Sequence, residues 1–248
     1  MEHMPPWQLL KHTGHRTSPL PVGRWNFYQE WHRTLFLHFR VEAKELAAFV
    51  PDAVELDLFH GKAWISVVVF TMEGVRPRLL PAWSPLSNFH ELNVRTYVRG
   101  PDGMNGVYFL HIAAAKAISV SVARMLSVLP YQKAEISRTS NGDVRIACSS
   151  RTGPCLHTEF TPGDMIAAPR PLDIWLTERY AVYQQHGKAI WRYQVHHVPW
   201  PLRRVRINRL QIESGKSLPL RPSDPDLAHW SEGVQVLSWP REHVVPVM

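Results

Sequence analysis

The sequence predicts a mainly β protein with a few helices, arranged as a strongly curved antiparallel sheet or β-barrel. Three observations carry this. Polar and apolar residues alternate with a period of two through much of the chain. Two glycine-centred turns, Asn141-Gly142-Asp143 and His186-Gly187-Lys188, each separate two strand-like runs, which is the pattern of a hairpin. Many of the 21 prolines fall in connections (Pro77, Pro81, Pro85, Pro169, Pro171, Pro219, Pro222, Pro225), a distribution that argues against a helical bundle.

Taken in order, residues 1–24 mix prolines with polar residues and read as an arm wrapping one domain that spans 25–248. In the first strand Leu35, Leu37, Phe39 and Val41 alternate with Phe36, His38 and Arg40. Residues Val41 to Phe49 are good helix formers that stop before Pro51. Asp57 to Lys62 reads as a turn into the run Ala63–Phe70, which is apolar on both faces and therefore reads as a strand buried on both sides. Strands are also expected over Phe89–Val98 and Gly106–Ile112. The mostly apolar stretch 115–128 reads as a buried helix ending at Leu129-Pro130. Arg124 on that helix needs a carboxylate or carbonyls around it, with Glu91 the first candidate. Trp191, Trp200, Trp230 and Trp239 are expected to fill the core.

Composition removes several classes of function. At 45% apolar and 20% charged residues the chain is neither disordered nor membrane-spanning, since no uncharged apolar run approaches about 18 residues. No signal peptide is visible at the N-terminus, so a cytoplasmic protein is expected. Cys148 and Cys155, with only His157 nearby, lack the four closely spaced ligands of a structural zinc site, and they read as reduced thiols; no metal and no cofactor are expected. The net charge of +7 comes mainly from arginine, spread along the chain with one concentration at Arg203, Arg204, Arg206 and Arg209. Such a run is more often the solvated face of a strand than a phosphate-binding surface, so nucleic acid is not expected as a partner. No Walker loop, GxSxG elbow, HExxH pair or dinucleotide fingerprint is present.

The strand Phe89–Val98 carries the most chemistry. Alternation places Phe89, Glu91, Asn93, Arg95 and Tyr97 on one face and His90, Leu92, Val94, Thr96 and Val98 on the other. The second face is an ordinary core face. The first is either solvent-exposed or a polar lining inside a barrel, where Glu91 and Arg95 would be buried and paired. His38 lies on an alternate face of its strand and is expected to reach the same interior. Adjacent His196 and His197 point to opposite faces and cannot chelate one metal together.

Several segments resemble the YqjF-like bacterial family of unknown function. They are WHRTLFLHFRV (31–41), LFHGKAWISVVVF (58–70), FHELNVRTYV (89–98), GVYFLHI (106–112), LPYQKA (129–134), WLTERYAVY (175–183), VHHVPWPL (195–202) and HWSEGVQV (229–236), in order over about residues 25 to 240. That family in turn resembles acetoacetate decarboxylase, which implies a curved antiparallel β-barrel with the active site inside. On this resemblance Glu91 sits in the Glu-bearing strand, Gly106-Val107-Tyr108 matches the next strand, Ala123-Arg124-Met125 stands for Gly-Arg-Glu, and Pro130 matches the proline before a lysine pair. Tyr131 and Gln132 occupy the positions of those two lysines. Tyrosine cannot form an iminium and glutamine supplies no neighbouring ammonium, so the Schiff-base route is not expected; Lys133 comes too late in the chain to replace it directly.

The resulting expectation is an interior pocket for a small anionic, carboxylate or keto-acid-like molecule. Glu91 and Tyr131 are its candidate catalytic residues. Asn93, Arg95, Tyr97, Arg124, Lys133 and His38 are its candidate substrate-binding residues. An enzyme moving a proton next to a carbonyl and a non-catalytic ligand-binding or scaffold protein both fit, and assembly into a homo-oligomer stays open.

Overall fold

The computed structural model describes residues 3–82, 87–115, 129–150, 153–213, 218–220 and 224–246. The expected helix over 115–128 and the environment of Arg124 therefore fall outside the described residues, apart from Ala115.

The chain is mainly β. A short helix, α1 (Pro6–Leu9), precedes β1 (Phe27–Val41), followed by α2 (Ala43–Ala47), β2 (Glu55–Leu56), β3 (Ala63–Pro77), β4 (Phe89–Arg99), β5 (Asn105–Ala114) and β6 (Tyr131–Lys133). Next come β7 (Glu135–Asn141), β8 (Asp143–Ser149), β9 (Cys155–Met165), α3 (Pro171–Thr177), β10 (Ala181–His186), β11 (Ala189–His196), β12 (Leu202–Glu213), β13 (Leu227–Ser238) and β14 (Glu242–Pro246). Both expected hairpins form, β7–β8 around Gly142 and β10–β11 around Gly187, each glycine with positive φ.

Hydrogen bonding runs in the order β14-β11-β10-β5-β4-β3-β1-β13-β12-β9-β8-β7. A second pairing of β11 with β13, Val195 against Ser238 and His196 against Leu237, closes β11, β10, β5, β4, β3, β1 and β13 into a ring. Most strand pairs are antiparallel, as the sequence leads one to expect. The β10–β5 and β5–β6 pairs are parallel, because each joins strands distant in sequence rather than hairpin neighbours. Gly106 stands at the β10–β5 junction, where a Cβ would lie 2.6 Å from the Ala181 carbonyl oxygen and 2.8 Å from the Tyr183 ring.

The remaining strands, β12, β9, β8 and β7, extend the sheet and fold back over the outer face of the ring. Leu35, Leu37, Ile65, Val67, Leu92 and Val94 pack there against Ile146, Leu156, Phe160 and Trp230, all buried. This explains the doubly apolar run in β3. One face meets the folded-back strands while the other, through Val68, Phe70 and Met72, faces into the ring. A bulge in β1 between His32 and Leu35, with Arg33 in the left-handed region at φ 52°, inserts a residue and brings both Trp31 and Thr34 to the inner face.

Helix α3 closes one end of the ring. Its Leu176 is fully buried against Tyr97, Val107 and Phe109, and Trp175 packs on Tyr97 at 4.5 Å between ring centroids. Residues 3–24 cross the outside. The amide of Met4 donates to Gln235 (2.7 Å), the Leu9 carbonyl lies 2.9 Å from His196 Nε2, and Arg16 donates to the Val195 carbonyl (2.9 Å).

Candidate functional site

The interior of the ring holds a cavity of about 470 Å³. Strand β4 supplies Phe89, Glu91, Asn93 and Arg95 to its lining, β1 supplies Thr34 and Phe36, and Tyr131, Arg179 and His197 add polar groups, with Gln29, Tyr193 and Arg241 among the other polar residues of the wall. The opposite face of β4 presents Leu92 and Val94 to the core between the ring and the folded-back strands.

Glu91 is 2% exposed and makes no ion pair among the described residues. Its carboxylate accepts a hydrogen bond from the Tyr131 hydroxyl at 2.9 Å and a long one from the Asn93 amide at 3.4 Å. Burial pushes its pKa up to about 7, against a smaller opposing effect of those two donors. The Tyr131 hydroxyl is held well above its usual range, first by burial and then by the neighbouring Glu91 charge, so it stays a neutral donor. The parallel pairing of Tyr131 with Ile112 sets it beside the segment of β5 that pairs with Glu91 and Asn93.

Arg95 sits at the other end of the row. Its Nη2 donates to the Leu176 carbonyl at 3.3 Å, and its Nε has no partner among the described residues. The guanidinium lies over the Phe36 ring at 5.6 Å. Burial lowers its pKa, yet an arginine with so high a starting value remains a cation. Arg179 stands nearby, donating to Asp57 at 2.7 Å and to the Trp175 carbonyl at 2.7 Å, with its Nη2 unpartnered among the described residues. Asp57 also receives Arg99 at 3.3 Å, so Arg179 shares its carboxylate partner with an arginine outside the cavity lining. The expected Glu91–Arg95 pair does not form. Four residues of strand put their backbones about 13 Å apart, and Arg95 is tied toward α3 rather than toward Glu91.

Three other expected residues lie off the cavity lining. Tyr97 is fully buried beneath α3, its hydroxyl 2.5 Å from Ser66 Oγ and 2.9 Å from the Leu176 carbonyl. His38 is fully buried between Ser66 (2.6 Å) and His229 (3.1 Å), and His229 lies 3.1 Å from Asp173. Burial drives both histidines below their usual pKa, so this chain of groups is neutral at the imidazoles. Lys133 is exposed at the end of a three-residue strand, and no lysine is among the described lining residues. Conversely, Arg179, Thr34 and His197 line the cavity without having been singled out from the sequence. His197 holds the Val198 carbonyl at 2.8 Å, and burial lowers its pKa to about 3. No group of three or more His, Cys, Asp or Glu able to hold a metal occurs among the described residues.

Residues 28–235 match the model of the DUF2071 family, described as an uncharacterized conserved protein. The chain belongs to the DUF2071 family. It is 35% identical over 230 residues to the uncharacterized protein YqjF of Bacillus subtilis strain 168, covering 89% of this chain and 93% of that one. Among solved structures it is similar to the enduracididine biosynthesis enzyme MppR complexed with pyruvate, with a TM-score of 0.65, 12% identity and 94% of each chain covered. It is also similar to an acetoacetate decarboxylase-like enzyme from Sphingomonas wittichii RW1, with a TM-score of 0.62, 12% identity and coverage of 94% and 98%. The acetoacetate decarboxylase of Legionella pneumophila gives 0.60 at 12% identity, with coverage of 96% and 95%. At such identities the likeness is one of fold, and it agrees with the fold expected from the sequence. Among the described residues no helix is long and apolar enough to cross a membrane.

Proposed function

We propose that this chain binds a small organic anion of the carboxylate or keto-acid type inside the ring, and that Glu91 and Tyr131 move a proton next to its carbonyl. The observation that carries this is the presence in one cavity of a guanidinium, Arg95, with no ion pair among the described residues and of a near-neutral carboxylic acid, Glu91. Arg95 anchors the carboxylate through its planar fork, with Arg179 adding positive potential. Asn93 offers a side-chain oxygen with no partner among the described residues. A Glu91 pKa of about 7 leaves acid and base forms both populated at neutral pH, which suits proton transfer in either direction. As base, Glu91 takes a proton from the carbon beside the carbonyl. The electron pair left on that carbon moves onto the carbonyl oxygen. The Tyr131 hydroxyl, released from the now neutral Glu91, turns to that enolate oxygen. Return of the proton from Glu91 completes the cycle. The fold's occurrence in an enzyme complexed with pyruvate and in decarboxylases supports a keto-acid site as the ligand class.

The test is proton NMR of keto acids in D2O with the wild-type protein. Exchange at the carbon beside the carbonyl, faster than in buffer and lost in Glu91→Gln while binding persists, is the expected result. Binding without exchange would leave the non-catalytic ligand-binding reading, and no binding would remove both. The same reading excludes a Schiff base, so borohydride with acetoacetate leaves the intact mass unchanged; a trapped adduct, located by peptide mapping, would overturn that part.

A further inference from the structure

Much of the cavity wall is aromatic. Trp31, Phe36, Phe70, Phe89, Phe109 and Trp200 all line it. Trp200 stacks on Trp31 at 6.1 Å and meets Phe36 edge-on at 5.1 Å, so these rings are fixed against one another and form a built apolar surface. At one end Arg95 is drawn toward the Leu176 carbonyl, the same carbonyl that takes the Tyr97 hydroxyl, and hence away from Glu91. Four residues back along β4 Glu91 is held by Tyr131 and Asn93. Along the register the cavity thus runs from the cationic Arg95 past Glu91, which pairs with Phe70, to an apolar stretch where Phe89 pairs with Met72 and Met72 with Trp31.

Its size sharpens the point. A volume of about 470 Å³ corresponds to roughly fifteen water molecules at about 30 Å³ each. A four-carbon keto acid such as acetoacetate, with only a handful of non-hydrogen atoms, leaves much of that space and most of the aromatic wall unoccupied. Nor does it span from a carboxylate on Arg95 to a carbon at Glu91, when the two backbones are about 13 Å apart.

We infer that the ligand is an elongated amphipathic keto acid: a carboxylate at Arg95, a carbonyl at Glu91 and Tyr131, and beyond it an aromatic or branched apolar body against the tryptophan and phenylalanine wall. This rests on the anion-binding reading above and narrows it. Of the ligand's surface, the body contributes most of the area removed from water, so affinity rises with its size until the cavity is full.

Isothermal titration of the wild-type protein with acetoacetate, 4-oxo-4-phenylbutanoate and 6-oxo-6-phenylhexanoate, each beside its primary amide, tests the inference. The phenyl acids are expected to bind at least tenfold more tightly than acetoacetate, and each acid more tightly than its amide. Arg95→Met is expected to erase the acid-over-amide preference while leaving the phenyl preference. Acetoacetate binding as tightly as the phenyl acids would overturn the elongated class and leave the anion site standing. Phenyl amides equal to phenyl acids in the wild type would overturn the anion site itself and the inference with it. Absence of binding by every compound would overturn both.

Discussion

Glu91 makes the protein's stability depend on pH in a direction opposite to that of an ordinary paired carboxylate. In the unfolded chain its pKa is near 4.5, and burial raises it to about 7 in the folded protein. Between those values the folded state holds the proton and the unfolded state does not. Stability contributed by this group is therefore fully present below pH 4.5 and is lost as pH rises through 7. At about 1.4 kcal/mol per pKa unit this displacement gives about 3 kcal/mol, most of it between pH 5 and pH 8. The group is 2% exposed, so solvent screening removes little of this.

Glu91→Gln keeps the shape and a hydrogen-bonding end without the titration. Urea unfolding of wild type and variant at pH 5, 6, 7 and 8 gives the stability difference at each pH. Taking the difference removes the other titrating groups, which matters here. His196 and His197 have folded pKa values lowered to about 4 and about 3 by burial. They destabilise the wild type on acidification below about 6.5, because the unfolded state then binds protons the folded state refuses. Relative to Glu91→Gln, the wild type is expected to lose about 2 to 3 kcal/mol from pH 5 to pH 8. A difference flat within about 0.5 kcal/mol would mean that Glu91 ionises at its ordinary pKa, and the acid–base role assigned to it would fall. A difference that grows with pH would show Glu91 paired with a cation in the folded state.

Three further outcomes follow from the same geometry. Arg179→Met strips Asp57 of its buried partner and is expected to destabilise by about 3 kcal/mol in chemical denaturation, as when one member of a buried pair is removed. Tyr131→Phe removes a donor that holds the Glu91 pKa down, so the pH at which the wild-type-minus-Glu91→Gln difference falls should move upward when measured in the Tyr131→Phe background. Gly106→Ala forces a Cβ into the Ala181 carbonyl and the Tyr183 ring; a lowered melting temperature together with faster amide exchange at the β10–β5 junction is the expected signature.

The row on β4 could be read from the sequence because its two faces meet different surroundings. Leu92 and Val94 had to find a core, which the folded-back strands supply, and that left Glu91, Asn93 and Arg95 to face the ring. Alternation fixes direction but not depth along the strand. Tyr97 shares that face, yet α3, entering about eighty residues later, covers it with Trp175 and Leu176. His38 likewise points inward but sits below the cavity, where Ser66 and His229 meet it. Lys133 shows the limit of alternation from the other side: β6 is three residues long, and its last position is already in solvent.

What escaped the sequence depends on contacts between distant segments or on local irregularity. Arg179 enters the site through Asp57, 122 residues away, and nothing in the run WLTERYAVY marks that arginine as a cavity residue. Thr34 shares the phase of Phe36, but Trp31 reaches the cavity because the Arg33 bulge shifts the phase of β1; a strict period of two counted back from Phe36 would have placed it on the outer face. The aromatic wall was visible only as an abundance of tryptophan, because a large ring filling a core and a large ring lining a cavity have the same sequence signature. The difference lies in whether another side chain occupies the space in front of it, and that is decided by the closure of the ring between β11 and β13, a contact of two residue pairs.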